Sequence, residues 1–305
     1  MTTDPTDPTD PTDSTPPFDP ADCPPDSLLR AADGQGAIHW YVRTERGLAA
    51  LDATWSLGSL LALKAAELHE VIDAAPDADP GRLTLLAPLD DDTEVWACGV
   101  TYEVSRAARM EESTEAADVY ARVYDAERPE LFYKATGWRV SGPGGPVGVR
   151  GDSAWNVPEP ELALVCAADA TVVGYTICND MSSRSIEGEN PLYLPQAKMY
   201  RHSCAVGPWI RLARSVPEPR ALGITATIAR GGEPLWSGAT STARLRRDYE
   251  ELVSYLYRAQ TYPRGAVLAT GTCAVPDESV SVAEGDVVEI AIEGVGRLSN
   301  PAVSV

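Results

Sequence analysis

The period of the apolar positions changes near residue 94. Before it, residues 38–51 hold two short apolar runs on either side of Arg46 and Gly47, and residues 56–74 carry apolar side chains at helical spacing. The first pattern predicts two strands about a turn, the second an amphipathic helix. Beyond residue 94, short apolar segments separated by turn residues recur at 95–100, 131–135, 161–167, 172–178, 205–212, 224–230 and 287–292. Helical patterning interrupts them at 102–123 and 248–258. Many strands with a few inserted helices imply an α+β fold built on a mixed β-roll, and argue against a doubly wound parallel sheet.

The first 27 residues follow neither period. They open on T-D-P repeats and continue rich in Pro and Asp. Proline lacks a backbone donor and the acids repel, so this segment cannot bury enough surface to offset the entropy of ordering it. The expected organisation is a disordered tail over 1–27, a small N-terminal α/β subdomain over 28–90 and a larger domain over 91–305.

Composition narrows the function classes. A chain of 305 residues, 44% of them apolar, can bury a sizeable core. Seven of the twenty excess negative charges lie in residues 1–26, which have no Lys or Arg, leaving a formal −13 on the rest. Such a body lacks the clustered positive face that nucleic acid requires. Without a long apolar run or a basic-then-apolar leader, no membrane span is expected and the expected location is the cytoplasm. The six cysteines form no C-x-x-C pair and read as reduced thiols, while His39, His69 and His202 are isolated along the sequence. No G-x-G-x-x-G or Walker sequence occurs, and G-P-G-G-P at 142–146 reads as a loop.

The chemistry concentrates in W-N-V-P-E-P-E-L-A-L-V at 155–165. Alternation along a strand puts Glu159 and Glu161 on one face, about 7 Å apart along the chain, and the two prolines hold the segment extended. Two like-facing carboxylates describe either a solvated strand edge or a site for a hard cation. A third carboxylate, Asp180, follows at the end of the next apolar segment, in V-V-G-Y-T-I-C-N-D. Three carboxylates from two strands leave about half a coordination shell for water or substrate, which suits Mg²⁺. Lys198 follows the uncharged L-Y-L-P-Q-A. It is either a surface ion-pair partner or, desolvated beside a metal, a base shifted below its free value of about 10.4.

These motifs together resemble the fumarylacetoacetate hydrolase superfamily. P-E-P-E-L, N-D-M-S-S-R, Lys198, Gly271-Thr272 and the closing E-G-D-V-V-E-I-A-I-E-G-V-G-R-L-S-N-P carry the resemblance, over residues 94–305. It implies a mixed β-roll of the C-terminal type found in that superfamily. It also implies a metal on Glu159, Glu161 and Asp180, Mg²⁺ with Mn²⁺ as the alternative, a small 2-oxo acid as substrate, and a homodimer or homotetramer. Hydrolases of the superfamily carry G-x-N-Y-x-x-H, whose His is the general base for water. This chain reads G-V-T-Y-E-V-S, with Thr101 in place of Asn and Ser105 in place of His. A serine cannot take a proton from water without a base of its own.

The longer stretches G-V-T-Y-E-V-S-R-A-A-R-M-E-E-S, A-E-R-P-E-L-F-Y-K-A-T-G and R-S-I-E-G-E-N-P-L-Y-L-P-Q-A-K resemble the 2-keto-3-deoxy-D-arabinonate dehydratase branch. The resemblance implies a metal-dependent hydro-lyase with Lys198 and Glu130 as its acid-base pair. A carbon-carbon hydrolase or a 2-oxo acid decarboxylase on the same metal is the alternative. Thr272 is expected at the substrate's carboxylate or keto group by the same resemblance. If 102–109 is helical, Tyr102, Arg106 and Arg109 share one face, which either steadies the substrate carboxylate or is simply solvated. Arg184 is expected to pair with a site acid, and Glu187 and Glu189 to lie in a polar lid loop.

Overall fold

The computed structural model describes residues 18–102 and 122–305. The helix expected over 102–123 therefore falls almost wholly outside the described residues, as do Ser105, Arg106 and Arg109.

The strand expectations beyond residue 94 correspond to Glu94–Gly99, Glu130–Thr136, Pro160–Cys166, Val172–Asp180, Cys204–Leu212, Gly223–Arg230 and Val287–Ile292. Most of these enter one large sheet. Its path runs Asp77–Ala78, Gly47–Ala50, Ile38–Thr44, Ser27–Ala32, Cys204–Leu212, Val172–Asp180, Pro160–Cys166, Ala266–Ala269, Glu94–Gly99 and Glu130–Thr136, with Thr84–Leu85 added beside Ser27–Ala32. The sheet is mixed: Ala266–Ala269 runs parallel to Glu94–Gly99 while its other neighbour is antiparallel. A second sheet orders Glu233–Ser241, Gly223–Arg230, Val287–Ile292, Gly296–Ser304 and Val147–Val149.

The central strands read as unbroken apolar runs because both faces are covered. Along Pro160–Cys166, Leu162, Leu164 and Cys166 turn towards a core shared with Ile224, Ile228, Ile290 and the helix residues Leu252 and Leu256. Ala163 and Val165 turn the other way, against Leu57, Leu60, Leu61, Leu68 and Ile72. Glu161 belongs to this second face, at the end of the strand where the apolar packing stops.

Two features near the N-terminus differ from the pattern reading. The helix expected over 56–74 is two helices, Leu57–Leu61 and Ala65–Asp73. One continuous helix would carry Lys64 on its apolar face, seven residues after Leu57 and four before Leu68. The break leaves Lys64 exposed as an extended N-cap whose backbone N–H donates to Glu67. Within the stretch assigned to the tail, Pro20–Asp22 forms a 3₁₀ turn, Cys23 is buried, and the Phe18 ring packs on Trp209. Two apolar anchors suffice to hold residues 18–26, whatever their average composition. Ser27–Ala32 then pairs with Cys204–Leu212, so the sheet is continuous between the first 90 residues and the rest.

Candidate active site

The N-terminal end of Pro160–Cys166 and the C-terminal end of Val172–Asp180 lie side by side in antiparallel register, Glu161 opposite Cys178 and Pro160 opposite Asn179. The Asp180 N–H donates to the Glu159 carbonyl at 3.0 Å and locks these ends together. Asp180 lies two residues from Cys178, so it shares the face of Glu161. One carboxylate oxygen from each of Glu159, Glu161 and Asp180 falls within 4.8 Å of the others. All three residues are buried, at 3%, 1% and 0% exposure. That burial excludes the solvated edge.

Lys198 ends the helix Leu194–Lys198 and is 1% exposed. Its Nζ donates to Glu159 Oε2 at 2.8 Å, Asp180 Oδ2 at 3.1 Å and Ser182 Oγ at 2.6 Å. The surface ion-pair reading is therefore excluded. Arg184 pairs with Glu159 Oε1 at 2.9 Å, as expected. Lys134, which the pattern reading missed, pairs with Asp180 Oδ1 at 2.5 Å from complete burial. Three buried cations thus face three buried acids, the balance that a low-dielectric site requires. Burial first, then the Asp180 and Glu159 charges, push the Glu161 carboxyl well above the ordinary range, against the pull of Lys198 and of the Gly271 N–H. Converging carboxylate oxygens are the donor type a hard divalent cation takes, and one bound here would share the acids with Lys134, Arg184 and Lys198.

Gly271 reaches Glu161 because of its backbone. Its φ of 95° lies in the left-handed region, its N–H donates to Glu161 Oε2 at 2.7 Å, and a Cβ there would collide with the Thr101 hydroxyl. Thr101, standing where hydrolases have Asn, donates that hydroxyl to the Thr270 carbonyl at 2.6 Å and so braces the turn.

A narrow cleft with about 10 Å³ of free space lies beside the acids, lined by Cys98, Gly99, Glu130, Phe132, Glu187 and Thr272 together with Glu159 and Lys198. Glu130 and Phe132 alternate on one face of Glu130–Thr136, and Lys198 Nζ stands 5.5 Å from the centre of the Phe132 ring. A wider cleft at the Val172 end of Val172–Asp180 lies away from these acids. The structure therefore gathers Glu130, Lys198, Thr272 and the three acids. It does not bring Tyr102 to the cleft wall: Tyr102 is buried in the core near Leu245, and burial pushes its hydroxyl well up. Arg106 lies outside the described residues. Glu187, expected in a lid loop, sits instead in the first turn of Arg184–Glu189 and is buried against the cleft. The Ser183 hydroxyl caps that helix, a signal that S-S-R-S already carried. Lys134 was not legible by alternation, because it is the extra residue of a β-bulge where the pairing steps from Trp96–Tyr133 to Val95–Ala135.

The model of the fumarylacetoacetate (FAA) hydrolase C-terminal family matches residues 95–303. The chain belongs to the fumarylacetoacetate hydrolase family. Within it, the chain is 50% identical over 241 residues to a probable 2-keto-3-deoxyxylonate dehydratase of Haloferax volcanii, covering 79% of this chain and 82% of that one. It is 43% identical over 214 residues to the 2-dehydro-3-deoxy-D-arabinonate dehydratase of Saccharolobus solfataricus, covering 69% and 72%. Among solved structures, a 2-keto-3-deoxy-D-arabinonate dehydratase complexed with magnesium and 2,5-dioxopentanoate superposes with a TM-score of 0.78 at 33% identity, over 92% of this chain and 99% of that one. The family fold and its mixed sheets match the α+β β-roll expected from the sequence.

Proposed function

We propose that the chain is a Mg²⁺-dependent hydro-lyase that removes water from a 2-keto-3-deoxy sugar acid of the 2-keto-3-deoxy-D-arabinonate type, giving 2,5-dioxopentanoate. The observation that carries this reading is that Glu130 and Lys198 line the same cleft as Glu159, a member of the Glu159, Glu161 and Asp180 cluster.

Glu159, Glu161 and Asp180 would hold the cation, with Mn²⁺ as the alternative. Bound there, it stabilises the negative charge that develops on the 2-keto oxygen. A cation held by Glu159 and Asp180 would take over their charge from Lys198 and favour its neutral amine, which then takes the proton from C3, next to the ketone. The C4–O bond breaks as the new double bond forms, and Glu130 gives its proton to the departing hydroxide, so one water leaves. Tautomerisation of the unsaturated product yields the dioxo acid. Thr272, on the cleft wall, contacts the substrate carboxylate or keto group. Arg106 belongs to the same role by resemblance, whereas the buried position of Tyr102 favours a packing role.

The enzyme is read as a cytoplasmic homodimer or homotetramer. No helix among the described residues is long and apolar enough to cross a membrane. The test is to incubate the protein with Mg²⁺ and a panel of 2-keto-3-deoxy acids and acylpyruvates and to identify products by mass spectrometry. Loss of one water is expected; two carbon fragments or CO₂ would establish the hydrolase or decarboxylase instead. Full turnover by Glu161→Gln would reject the metal.

A further inference from the structure

Val100, the residue after the strand Glu94–Gly99, holds a conformation that its side chain disfavours. Its φ of 52° lies in the left-handed region, which β-branched residues rarely adopt and glycine takes without strain. The chain is pinned on both sides of it. Gly99 pairs with Glu130, while the Thr101 hydroxyl donates to the Thr270 carbonyl at 2.6 Å and the Thr101 carbonyl accepts the Arg246 N–H at 3.0 Å. Between these anchors a single residue turns the chain from one set of partners to the next. Its isopropyl group is buried, packs with Val123 and Tyr124, and lines the cleft with Gly99 and Glu130. We infer that Val100 is a specificity-determining residue, whose side chain closes the cleft against substrates longer than five carbons.

The inference rests on the dehydratase reading, in which Lys198 takes the C3 proton and Glu130 meets the hydroxyl on C4. Carbons beyond C4 then continue past Glu130. Gly99 stands opposite Glu130 in the sheet and Val100 comes next, so its methyl groups form the wall that this end of the substrate meets. Phe132 serves the other end, since its ring lies 5.5 Å from Lys198 Nζ and so flanks C3.

Both the shape and the chemistry of that wall select against length. The cleft has about 10 Å³ of free space, roughly what one water molecule needs, and so offers no slack for another carbon. Nor can methyl groups hydrogen-bond the hydroxyl that a sixth carbon carries, which would be buried without a partner. Backbone strain of this kind gathers at active sites, where the surrounding contacts hold it in place. A valine kept where glycine is easier points to a use for the side chain.

The experiment compares kcat/KM with Mg²⁺ for 2-keto-3-deoxy-D-arabinonate and for the homologue one hydroxymethylene longer. The proteins are the full-length wild type, Val100→Ala and Val100→Gly, with circular dichroism to check each fold. Val100→Gly suits the left-handed backbone and carries the test should Val100→Ala fail to fold. The wild type is expected to prefer the five-carbon acid, and both variants to lower that preference about 10- to 200-fold. Similar shifts in the two trace the effect to the lost methyl groups, because only Val100→Gly also relaxes the backbone. A shift confined to Val100→Gly assigns the effect to the backbone and overturns the inference. An unchanged preference in a folded variant does so as well, including one that loses turnover on both acids in proportion, as does a wild type that takes both acids equally. A wild type that removes water from neither acid defeats the dehydratase reading itself, and the inference with it.

Discussion

Lys198 donates a 2.8 Å hydrogen bond to Oε2 of Glu159, so the candidate base and a candidate metal ligand are in direct contact inside the protein. Lys198→Met would remove both the proton acceptor and the counter-charge of Glu159 and Asp180. Turnover with Mg²⁺ is expected to fall by about 10²- to 10⁴-fold. In chelator, leaving buried acids without their cation is expected to cost about 3 kcal/mol of stability, recovered on adding Mg²⁺. Steady-state rates and urea unfolding with and without EDTA measure the two effects. A variant that loses activity yet unfolds like the wild type in EDTA would contradict the ion-pair account.

Gly99 lies opposite Glu130 in the sheet, and the Glu130 carboxyl occupies the space that a Cβ on Gly99 would fill. Gly99→Ala should therefore push the candidate acid out of line without touching the three candidate ligands. The expectation is a drop in kcat of about 10²-fold with an unchanged Mg²⁺ dissociation constant. Weakened metal binding would show that the substitution disturbs more than Glu130.

The buried Glu161 carboxyl gives a pH dependence with a definite sign. Its value in the folded, metal-stripped protein is raised well above that of the unfolded chain, chiefly by burial and then by Asp180 and Glu159. The folded state therefore keeps a proton that the unfolded state releases. The stability this group contributes is complete below the unfolded value and is lost as pH rises towards the folded one. A divalent cation replaces that proton, so the stabilisation by Mg²⁺ should widen as pH rises above the unfolded value of 4.5. Melting curves at matched Mg²⁺ and EDTA concentrations over a pH series above that value test it. An increment that stays constant would mean that no proton leaves with metal entry.

Truncation separates the two halves of the acidic N-terminus. Removal of residues 1–17 is expected to leave stability and turnover unchanged. Removal of residues 1–26 also deletes buried Cys23, the Phe18–Trp209 contact and the Asp26–Arg214 pair. That loss should cost about 2–4 kcal/mol while Mg²⁺-dependent turnover at room temperature survives, because none of these groups lines the cleft. Denaturant unfolding and rate measurements on both truncated chains distinguish the cases.

Much of the protein follows from local sequence. Short apolar runs bounded by turn residues marked the strands from Glu94 onward, and P-E-P-E with N-D at the next strand end marked the three candidate ligands, because such patterns and proline stiffness act within a few residues. The sequence also held Lys198 and Glu130, through resemblance to a family whose motifs recur in order. Tertiary structure decided what depends on groups distant along the chain. It turned Lys198 from a choice between surface and site into a buried partner of Glu159 and Asp180. It brought the amide of Gly271, 110 positions from Glu161, into its hydrogen bond. It set Lys134 on Asp180 through a one-residue bulge, a shift in register that appears only when the strand Glu94–Gly99 lies alongside. It also ordered residues 18–26, whose composition favours disorder, because Trp209 and the neighbouring strands offer Phe18 and Cys23 an apolar surface. Composition averages over a segment, whereas burial is settled residue by residue against whatever the fold places opposite.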